Sequence, residues 1–489
     1  METKEDLAVA FLPIERLAPL MAKGRISPVE LVELARQRIK RLNPTLNAFL
    51  TLTLDTALAE ARRAEREIRH GHRRGPLHGI PISIKDNIAT RGKPITAGSQ
   101  IPNGFQPAQE ATVVRRLRRA GAIVIGKTNL HELAYGVTSV NPHYGAVRNP
   151  WDPSRIAGGS SGGSAAALAA GIGWGSIGSD TGGSLRIPAS LCGVVGLKPT
   201  FGRVSCAGVV PLAASLDHVG PIATSVTGAA WLLNAIAGRD PQDACTAQAP
   251  QPPADYALRL RQSLGQVRLG LPRDHFFEGI HPDVRASIEE AALVLERLGA
   301  SVEDIELPEV AGWVEEATEI ALVEARHYHE STGNFPARAG EYGADVRRLL
   351  ERGGEIPAYK YLVDLDRMRE ARARWDQLIE PFDALLMPAT PITAPLLGQK
   401  KVMIEGKVET VRAALLRLCR PANFTGAPAL VLPCGFSSDG LPIGMQLMGQ
   451  KWNEGKLLRI GFAYEQATEW HAQHPPERPR REPAGGSQD

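Results

Sequence analysis

The chain has 489 residues, of which 43% are hydrophobic and 22% charged, and its formal net charge is +3 at pH 7. These values suit a soluble globular protein with a sizeable core, and they exclude a chain that is disordered throughout. The small net charge predicts no nucleic-acid partner and no membrane partner. Because the sequence has neither an apolar run of about 18 residues nor a signal-peptide pattern, we expect a cytoplasmic location.

The first 75 residues predict a helical region that packs on the core of the protein. Ser27 is a candidate N-cap, Pro28 stands at the first helical position, and Glu30 completes a capping-box pattern. A second helical period runs from Thr53 to Gly71.

From Gly79 onward, short apolar runs alternate with helical patterns. The strand candidates are GIPISIKDNI, GAIVIGKTN, VRLGLP, ASVEDIELP, DALLMPATP, ALVLPCGF and PIGMQLMG. Such alternation predicts the α/β class, with a sheet covered by helices on both faces. We place a core at 76–241, a second α/β part of the same domain at 258–473, and a disordered tail at 474–489.

Two glycine-flanked serines, Ser160 and Ser184, are the best candidates for chemistry, in residues 155–204. Glycine leaves a neighbouring hydroxyl unscreened and allows backbone angles that turn successive N–H groups toward one point. We therefore predict Ser184 as a nucleophile beside an oxyanion hole. Its predicted donors are Thr181, Gly182, Gly183 and Ser184 itself.

A nucleophilic serine needs a base, and no histidine lies within 155–204. Lys85 ends an apolar run, where burial would lower its pKa enough for a neutral amine. Ser160 could then relay a proton between Lys85 and Ser184. A competing interpretation makes GGSSG a nucleophile elbow with Ser160 attacking, but a proline-containing loop precedes it where a strand is required.

Metal and cofactor sites are not indicated. The histidine pairs at 70/72 and 327/329 have no accompanying HExxH motif or carboxylate cluster. The five scattered cysteines form no CxxC pair, which argues against a zinc ribbon or a disulfide framework. No phosphate-binding Gly-Lys-Ser/Thr closes the glycine-rich run. We predict neither a metal nor a cofactor.

The chain resembles the amidase signature family. Residues 158–163 match its G-G-S-S-G-G motif, 180–188 match D-x-G-G-S-x-R-x-P, and 79–86 match G-I-P-I-x-x-K-D. The resemblance implies one large α/β domain with a central mixed sheet. It also implies Ser184 as nucleophile, Ser160 as a relay serine held by a cis peptide bond, and Lys85 as base.

Further site residues follow from the resemblance and from the residue types. We expect Asp180 and Arg186 to pair and support the nucleophile loop. We expect Tyr135, Gly136, Thr138 and Ser161 to line the substrate pocket, together with Arg347 and Leu416. The glutamine-hydrolysing amidotransferase members of the family carry an acidic residue where Leu416 stands, and that acid binds the α-amino group of glutamine.

These observations predict an amidase that cleaves the C–N bond of small amides through an acyl-enzyme on Ser184. Carbamates, ureas and esters remain open as substrates because the same acyl chemistry serves them. Two alternatives are the glutaminase component of a tRNA-dependent amidotransferase and a non-catalytic assembly protein of the same fold. The expected partner is a small-molecule amide, and a homodimer is common among members of the family.

Overall fold

The computed structural model describes residues 4–102, 107–253 and 255–476. The strands in these ranges are β1 (Phe49–Leu52), β2 (Pro81–Lys85), β3 (Ile123–Thr128), β4 (Val140–Asn141), β5 (Gly145–Ala146), β6 (Ser176–Asp180), β7 (Val195–Lys198), β8 (His218–Ala223), β9 (Arg268–Pro272), β10 (Ser301–Ile305), β11 (Ala384–Pro388), β12 (Lys401–Ile404), β13 (Lys407–Thr410), β14 (Ala429–Phe436) and β15 (Pro442–Gly449).

The helices in the same ranges are α1 (Lys4–Ala10), α2 (Ile14–Ala22), α3 (Pro28–Leu46), α4 (Leu54–Arg69), α5 (Thr112–Arg119), α6 (Gly162–Ala169), α7 (Arg186–Cys192), α8 (Val226–Ile236), α9 (Arg273–Phe276), α10 (Pro282–Arg297), α11 (Val310–Ser331), α12 (Ala344–Gly353), α13 (Ala358–Leu378), α14 (Val411–Arg417), α15 (Arg420–Phe424) and α16 (Glu454–Ala467).

Eleven strands form one mixed sheet in the order β1-β3-β2-β6-β8-β7-β14-β15-β11-β9-β10. Strand β2 runs parallel to both β3 and β6. Strands β8, β7, β14, β15 and β11 continue the sheet through antiparallel pairings, and β9 and β10 extend it in parallel with β11. Helices flank this sheet, so the predicted α/β class and mixed sheet are confirmed.

The largest hydrophobic core joins the N-terminal helices, the sheet and the C-terminal helix α16. It extends from Ile14 and Leu31 in the N-terminal helices, through Ile84 and Leu430 in the sheet, to Leu457 in α16. The two α/β parts predicted at 76–241 and 258–473 therefore share a single core. Among the described helices, none is long and apolar enough to cross a membrane.

The N-terminal region differs from the prediction in one respect. Its α3 begins as expected, with the Ser27 hydroxyl accepting from the Glu30 N–H at 3.1 Å and the Ser27 N–H donating to the Glu30 carboxylate. Strand β1, however, follows α3 and pairs with β3, so the region also contributes a strand to the sheet. A four-residue strand between two long helices is too short for its alternating pattern to be distinguished from the helical pattern on either side.

The predicted tail lies partly outside the described residues, which end at residue 476. His474, the first residue of that segment, stacks on Phe11 with ring centroids 4.0 Å apart. The boundaries proposed for the other segments remain predictions.

The parallel arrangement of β2 and β6 explains how residues distant in sequence reach one site. Ser83 and Ile84 lie opposite Ser176 and Ile177, so Lys85 at the end of β2 lies near the end of β6. The carboxyl ends of parallel strands share one edge of a sheet, and that edge is where α/β proteins place their ligand sites. The sheet thereby brings Lys85 next to the glycine-rich turn after Asp180.

Helix α6, which follows the glycine-serine run, approaches neighbouring backbone closely. A Cβ atom on Gly163 would lie 2.4 Å from the Asn129 carbonyl oxygen and 2.5 Å from that of Ala48. Because both obstacles are backbone atoms, neither can move aside cheaply. Only glycine fits here.

We therefore expect Gly163→Ala to lower the free energy of unfolding by about 1–3 kcal/mol or more, as overpacking does elsewhere. Urea denaturation of the variant measures this loss. Gly340→Ala is the matched control, because a Cβ atom there meets nothing within 4 Å. Equal stability of the two variants would contradict the packing described for α6.

Candidate active site

The amine of Lys85 lies inside the protein, in contact with two hydroxyl groups. The side chain ends the fully buried strand β2 and is 0% exposed. Its Nζ lies 2.7 Å from Ser160 Oγ and 2.9 Å from Ser179 Oγ. Ser179 Oγ also accepts from Asn87 Nδ2 at 3.0 Å. Among the described residues, the hydrogen-bond partners of the Lys85 amine are therefore hydroxyl groups.

Burial lowers the pKa of Lys85 to about 7, because the charged ammonium is disfavoured away from water. The negative charges of Asp180 and Asp217 act in the opposite direction and raise that pKa. A large fraction of the Lys85 amine is thus neutral near pH 7 and can accept a proton.

The segment around Ser160 is fixed by backbone contacts. The peptide bond between Gly159 and Ser160 is cis, as the family resemblance implies. The Ser160 carbonyl accepts from the His131 N–H at 3.2 Å and from the Ser139 hydroxyl at 3.3 Å. These contacts fix the backbone at Ser160, whose hydroxyl lies within hydrogen-bonding distance of the Lys85 amine.

Ser184 lies directly beside this segment. The N–H of Ser161 donates to the Ser184 carbonyl at 3.2 Å, which joins the two serine loops. Ser184 is 7% exposed and Ser160 is 0% exposed, so of the two serines Ser184 is the one that a substrate can reach. The structure therefore brings the three predicted catalytic residues into one region.

The turn that carries Ser184 is built around the carboxylate of Asp180. Asp180 accepts from the N–H groups of Gly183 and Leu185 at 2.8 and 3.1 Å. It also accepts two hydrogen bonds from Arg186, each of 3.0 Å, so the predicted ion pair is present. Burial alone would raise the pKa of Asp180, but Arg186 and Asn423 hold it well below its ordinary value.

Arg186 connects this turn to the C-terminal half of the chain. Its Nη1 donates to the Cys419 carbonyl at 2.7 Å and to Gln446 Oε1 at 2.8 Å. Its Nη2 donates to Asn423 Oδ1 at 2.7 Å, and Asn423 Nδ2 in turn donates to Asp180. The guanidinium is fully buried, and its donors are spread over four partners, which fixes the turn relative to α15 and β15.

The oxyanion-hole prediction needs one correction. The Gly183 N–H points at the Asp180 carboxylate and is already used within the turn, so we remove Gly183 from the predicted donors. The N–H groups of Thr181, Gly182 and Ser184 remain as predicted donors. Thr181 also donates its hydroxyl to Asp217 at 2.5 Å, which anchors the start of the turn.

The predicted pocket residues occupy different positions around the site. The Ser161 hydroxyl donates to the Ser179 carbonyl at 3.1 Å and so supports the loop. Thr138 Oγ1 lies 3.3 Å from His131 Nδ1, and Gly136 packs directly on the same imidazole. The buried Tyr135 hydroxyl donates to the Ala321 carbonyl at 3.4 Å.

Leu416 lies over the turn that carries Ser184, whereas Arg347 lies on α12. A Cβ atom on Gly182 would be 3.3 Å from Leu416 Cδ2, so this leucine covers a predicted oxyanion donor. The Arg347 side chain is 43% exposed and lies 3.7 Å from Glu351 on the same helix. The placement of Arg347 in the pocket therefore remains a prediction.

Several residues of the site were missed by the sequence analysis. Ser179 carries the second hydroxyl on Lys85, and Asn423 and Asp217 buttress the nucleophile turn. Ser179 directly precedes the serine motif, and Asn423 lies in the PANFTGAP segment, but neither pattern indicates a contact across the sheet. Within the described residues, no cluster of three or more histidine, cysteine, aspartate or glutamate side chains could hold a metal ion.

The chain is similar to known proteins along most of its length. The sequence profile of the Amidase family matches residues 30–458. One component of the glutamyl-tRNA(Gln) amidotransferase of Chloroflexus aurantiacus is 42% identical over 476 residues, which cover 93% of this chain and 96% of the relative.

Two solved structures extend the likeness to three dimensions. A peptide amidase from Stenotrophomonas maltophilia has 35% identity and a TM-score of 0.82, covering 95% of this chain and 98% of its own. A chain of an inhibitor-bound vestigial complex, one that reveals the origins of an s-triazine catabolic enzyme, has 36% identity and a TM-score of 0.89, covering 93% of this chain and 98% of its own. The chain belongs to the amidase family, whose members hydrolyse amide C–N bonds.

Proposed function

We propose that this protein is an amidase that cleaves small amides through an acyl-enzyme on Ser184, with Ser160 as proton relay and Lys85 as base. The observation that carries the proposal is the hydrogen bond of 2.7 Å between Lys85 Nζ and Ser160 Oγ in a fully buried setting. A lysine whose pKa lies near 7 can act as a general base at neutral pH.

Acylation begins with proton transfer along this chain of groups. Neutral Lys85 takes the proton of Ser160, Ser160 takes that of Ser184, and Ser184 Oγ bonds to the amide carbonyl carbon. Negative charge on the carbonyl oxygen is stabilised by the N–H groups of Thr181, Gly182 and Ser184. The proton returns through Ser160 to the amide nitrogen, the C–N bond breaks, and the amine or ammonia leaves.

Deacylation repeats the sequence with water as the nucleophile. Lys85 and Ser160 take a proton from water as its oxygen attacks the ester carbonyl of the acyl-enzyme. Collapse of the intermediate breaks the bond to Ser184 Oγ, which regains its proton, and the carboxylic acid is released. No redox step occurs, and proton balance is kept within the three residues.

The substrate is proposed to be a small amide other than glutamine. The family resemblance places an acid for the glutamine α-amino group where this chain has Leu416, an apolar side chain that lies over Gly182.

The second candidate function, the glutaminase component of a tRNA-dependent amidotransferase, is favoured by the 42% identity to a protein of that kind. Ammonia release from glutamine by the purified chain, measured alone and with partner proteins of such a complex, distinguishes the two.

Covalent labelling tests the identity of the nucleophile. Incubation with a sulfonyl fluoride should add one sulfonyl group to Ser184 with loss of fluoride, which intact-mass and peptide analysis detect. Ser184→Ala should abolish this adduct and reduce amide hydrolysis about 10⁴-fold or more. Ser263→Ala, on an exposed serine, is the control and should behave as the parent protein. An unlabelled Ser184 in an active enzyme would refute the proposal.

The pH dependence of activity tests the identity of the base. Below pH 7 the Lys85 amine is protonated and cannot accept a further proton, and above pH 7 it is neutral. We therefore expect kcat/KM for a neutral amide to rise with pH and to level off above a pKa of about 7. A profile that is flat from about pH 5 to pH 9 would show that Lys85 is not the titrating base.

Removal of the charge of Asp217 tests the electrostatic control of that base. Because the carboxylate raises the pKa of Lys85, Asp217→Asn should lower that pKa and move the acidic limb of the kcat/KM profile to lower pH. Asn keeps hydrogen-bonding groups for Thr181 and for the backbone at Leu212 and Ala213. The control is Asp366→Asn, on an exposed carboxylate. A limb that stays in place or moves to higher pH would contradict the electrostatic coupling.

A further inference from the structure

A second cation, Arg420, lies beside the nucleophile turn and plays no part in the chemistry described above. It begins α15 and is 4% exposed. Its Nε and Nη1 atoms are buried and have no hydrogen-bond acceptor among the residues that the structure describes. Buried guanidinium groups are normally paired, because an unpaired donor loses its hydration without compensation.

The position of Arg420 is fixed by contacts with the turn itself. A Cβ atom on Gly182 would lie 3.5 Å from both Cγ and Nε of Arg420. The preceding residue, Cys419, packs on Gly183, where a Cβ atom would lie 2.6 Å from the Cβ of that cysteine. Arg420 is therefore in contact with a residue two positions from Ser184 in the chain, on the side where Leu416 covers the same glycine.

The charges around Arg420 do not neutralise it. The charged group that acts on it most strongly is Arg412, of the same sign. Arg412 lies over the Tyr135 ring, 5.5 Å from its centroid, and donates to the Tyr135 carbonyl at 3.3 Å. The carboxylate of Asp180, which belongs to the same turn as Gly182, is bonded to Arg186 and Asn423. Arg420 thus presents a positive charge next to Gly182, one of the proposed oxyanion donors, and Arg412 adds a second charge of the same sign that acts on Arg420.

We propose that Arg420 binds a carboxylate group of the substrate, so that the preferred substrates are small amides that carry a carboxylate near the scissile carbonyl. This inference rests on the proposed amidase function and specifies its substrate class. A planar guanidinium with free donors matches the two oxygens of a carboxylate, and a bound anion would supply the acceptors that the protein does not. The same charge disfavours a substrate with an ammonium group there, as in glutamine.

Matched pairs of primary amides test the inference. Three pairs differ only by a carboxylate in place of a terminal methyl group. They are malonamate with propionamide, succinamate with butyramide, and glutaramate with valeramide. We expect at least one of the three acids to be hydrolysed with a kcat/KM about 10- to 100-fold above that of its neutral counterpart, as hydrogen bonds to charged groups predict. Ammonia release measures each reaction.

Substitution of Arg420 then separates binding from chemistry. Arg420→Met should remove the preference by raising KM for the acid, so that kcat/KM for the acid falls to the level of its neutral counterpart. Arg420→Lys keeps the charge without the planar fork and should retain part of the preference. The matched control is Arg417→Met, since Arg417 is on the preceding helix and donates instead to the carbonyls of His275 and Gly279. Its preference should be that of the parent protein.

The possible results separate the role of Arg420 from the amidase activity. Hydrolysis of neutral amides without preference for any of the acids would overturn the role of Arg420 and leave the proposed amidase function intact. Equal loss of kcat on acid and neutral amides in a folded Arg420→Met variant would also overturn it, since Arg420 would then act on the oxyanion. Absence of both amide hydrolysis and labelling of Ser184 in the parent protein would defeat the proposed function itself.

Discussion

The removal of the Lys85 amine from water is the constraint on which the site depends. Strand β2 is buried along its whole length, and the amine at its end is hydrogen-bonded to the hydroxyls of Ser160 and Ser179. An ammonium in that position is fully buried, which disfavours its charge, so its pKa falls to about 7. Parallel pairing of β2 with β6 then places the Lys85 amine beside the turn that carries Ser184.

A second buried group, the pair of Asp180 and Arg186, keeps that turn in shape. Both side chains are shielded from solvent, and the guanidinium also reaches Asn423, Gln446 and the Cys419 carbonyl. Breaking such a pair leaves an uncompensated buried charge, which costs far more than an exposed ion pair contributes. The nucleophile turn is therefore tied to elements more than two hundred residues away in the chain, and those elements also bring Leu416 and Arg420 over Gly182.

Local pattern sufficed to predict the strand that contains Lys85 and the other candidate runs, because their apolar periods and flanking turns are strong. It also predicted the pairing of Asp180 with Arg186, since these two residues lie six positions apart in one motif. It failed where the contact is made across the fold. The unbonded donors of Arg420 and the position of the Ser179 hydroxyl depend on helix packing and sheet pairing, which a linear pattern does not encode.

The proposed chemistry requires a Lys85 amine that is largely neutral at physiological pH, and its titration can be observed directly. Selective ¹³C labelling of lysine side chains, with Lys85→Met to assign the signal, allows the Lys85 Cε resonance to be followed by NMR as pH changes. We predict a midpoint at about pH 7. A midpoint near the ordinary lysine value of about 10.4 would show an ammonium that remains charged, and the proposed base would not exist.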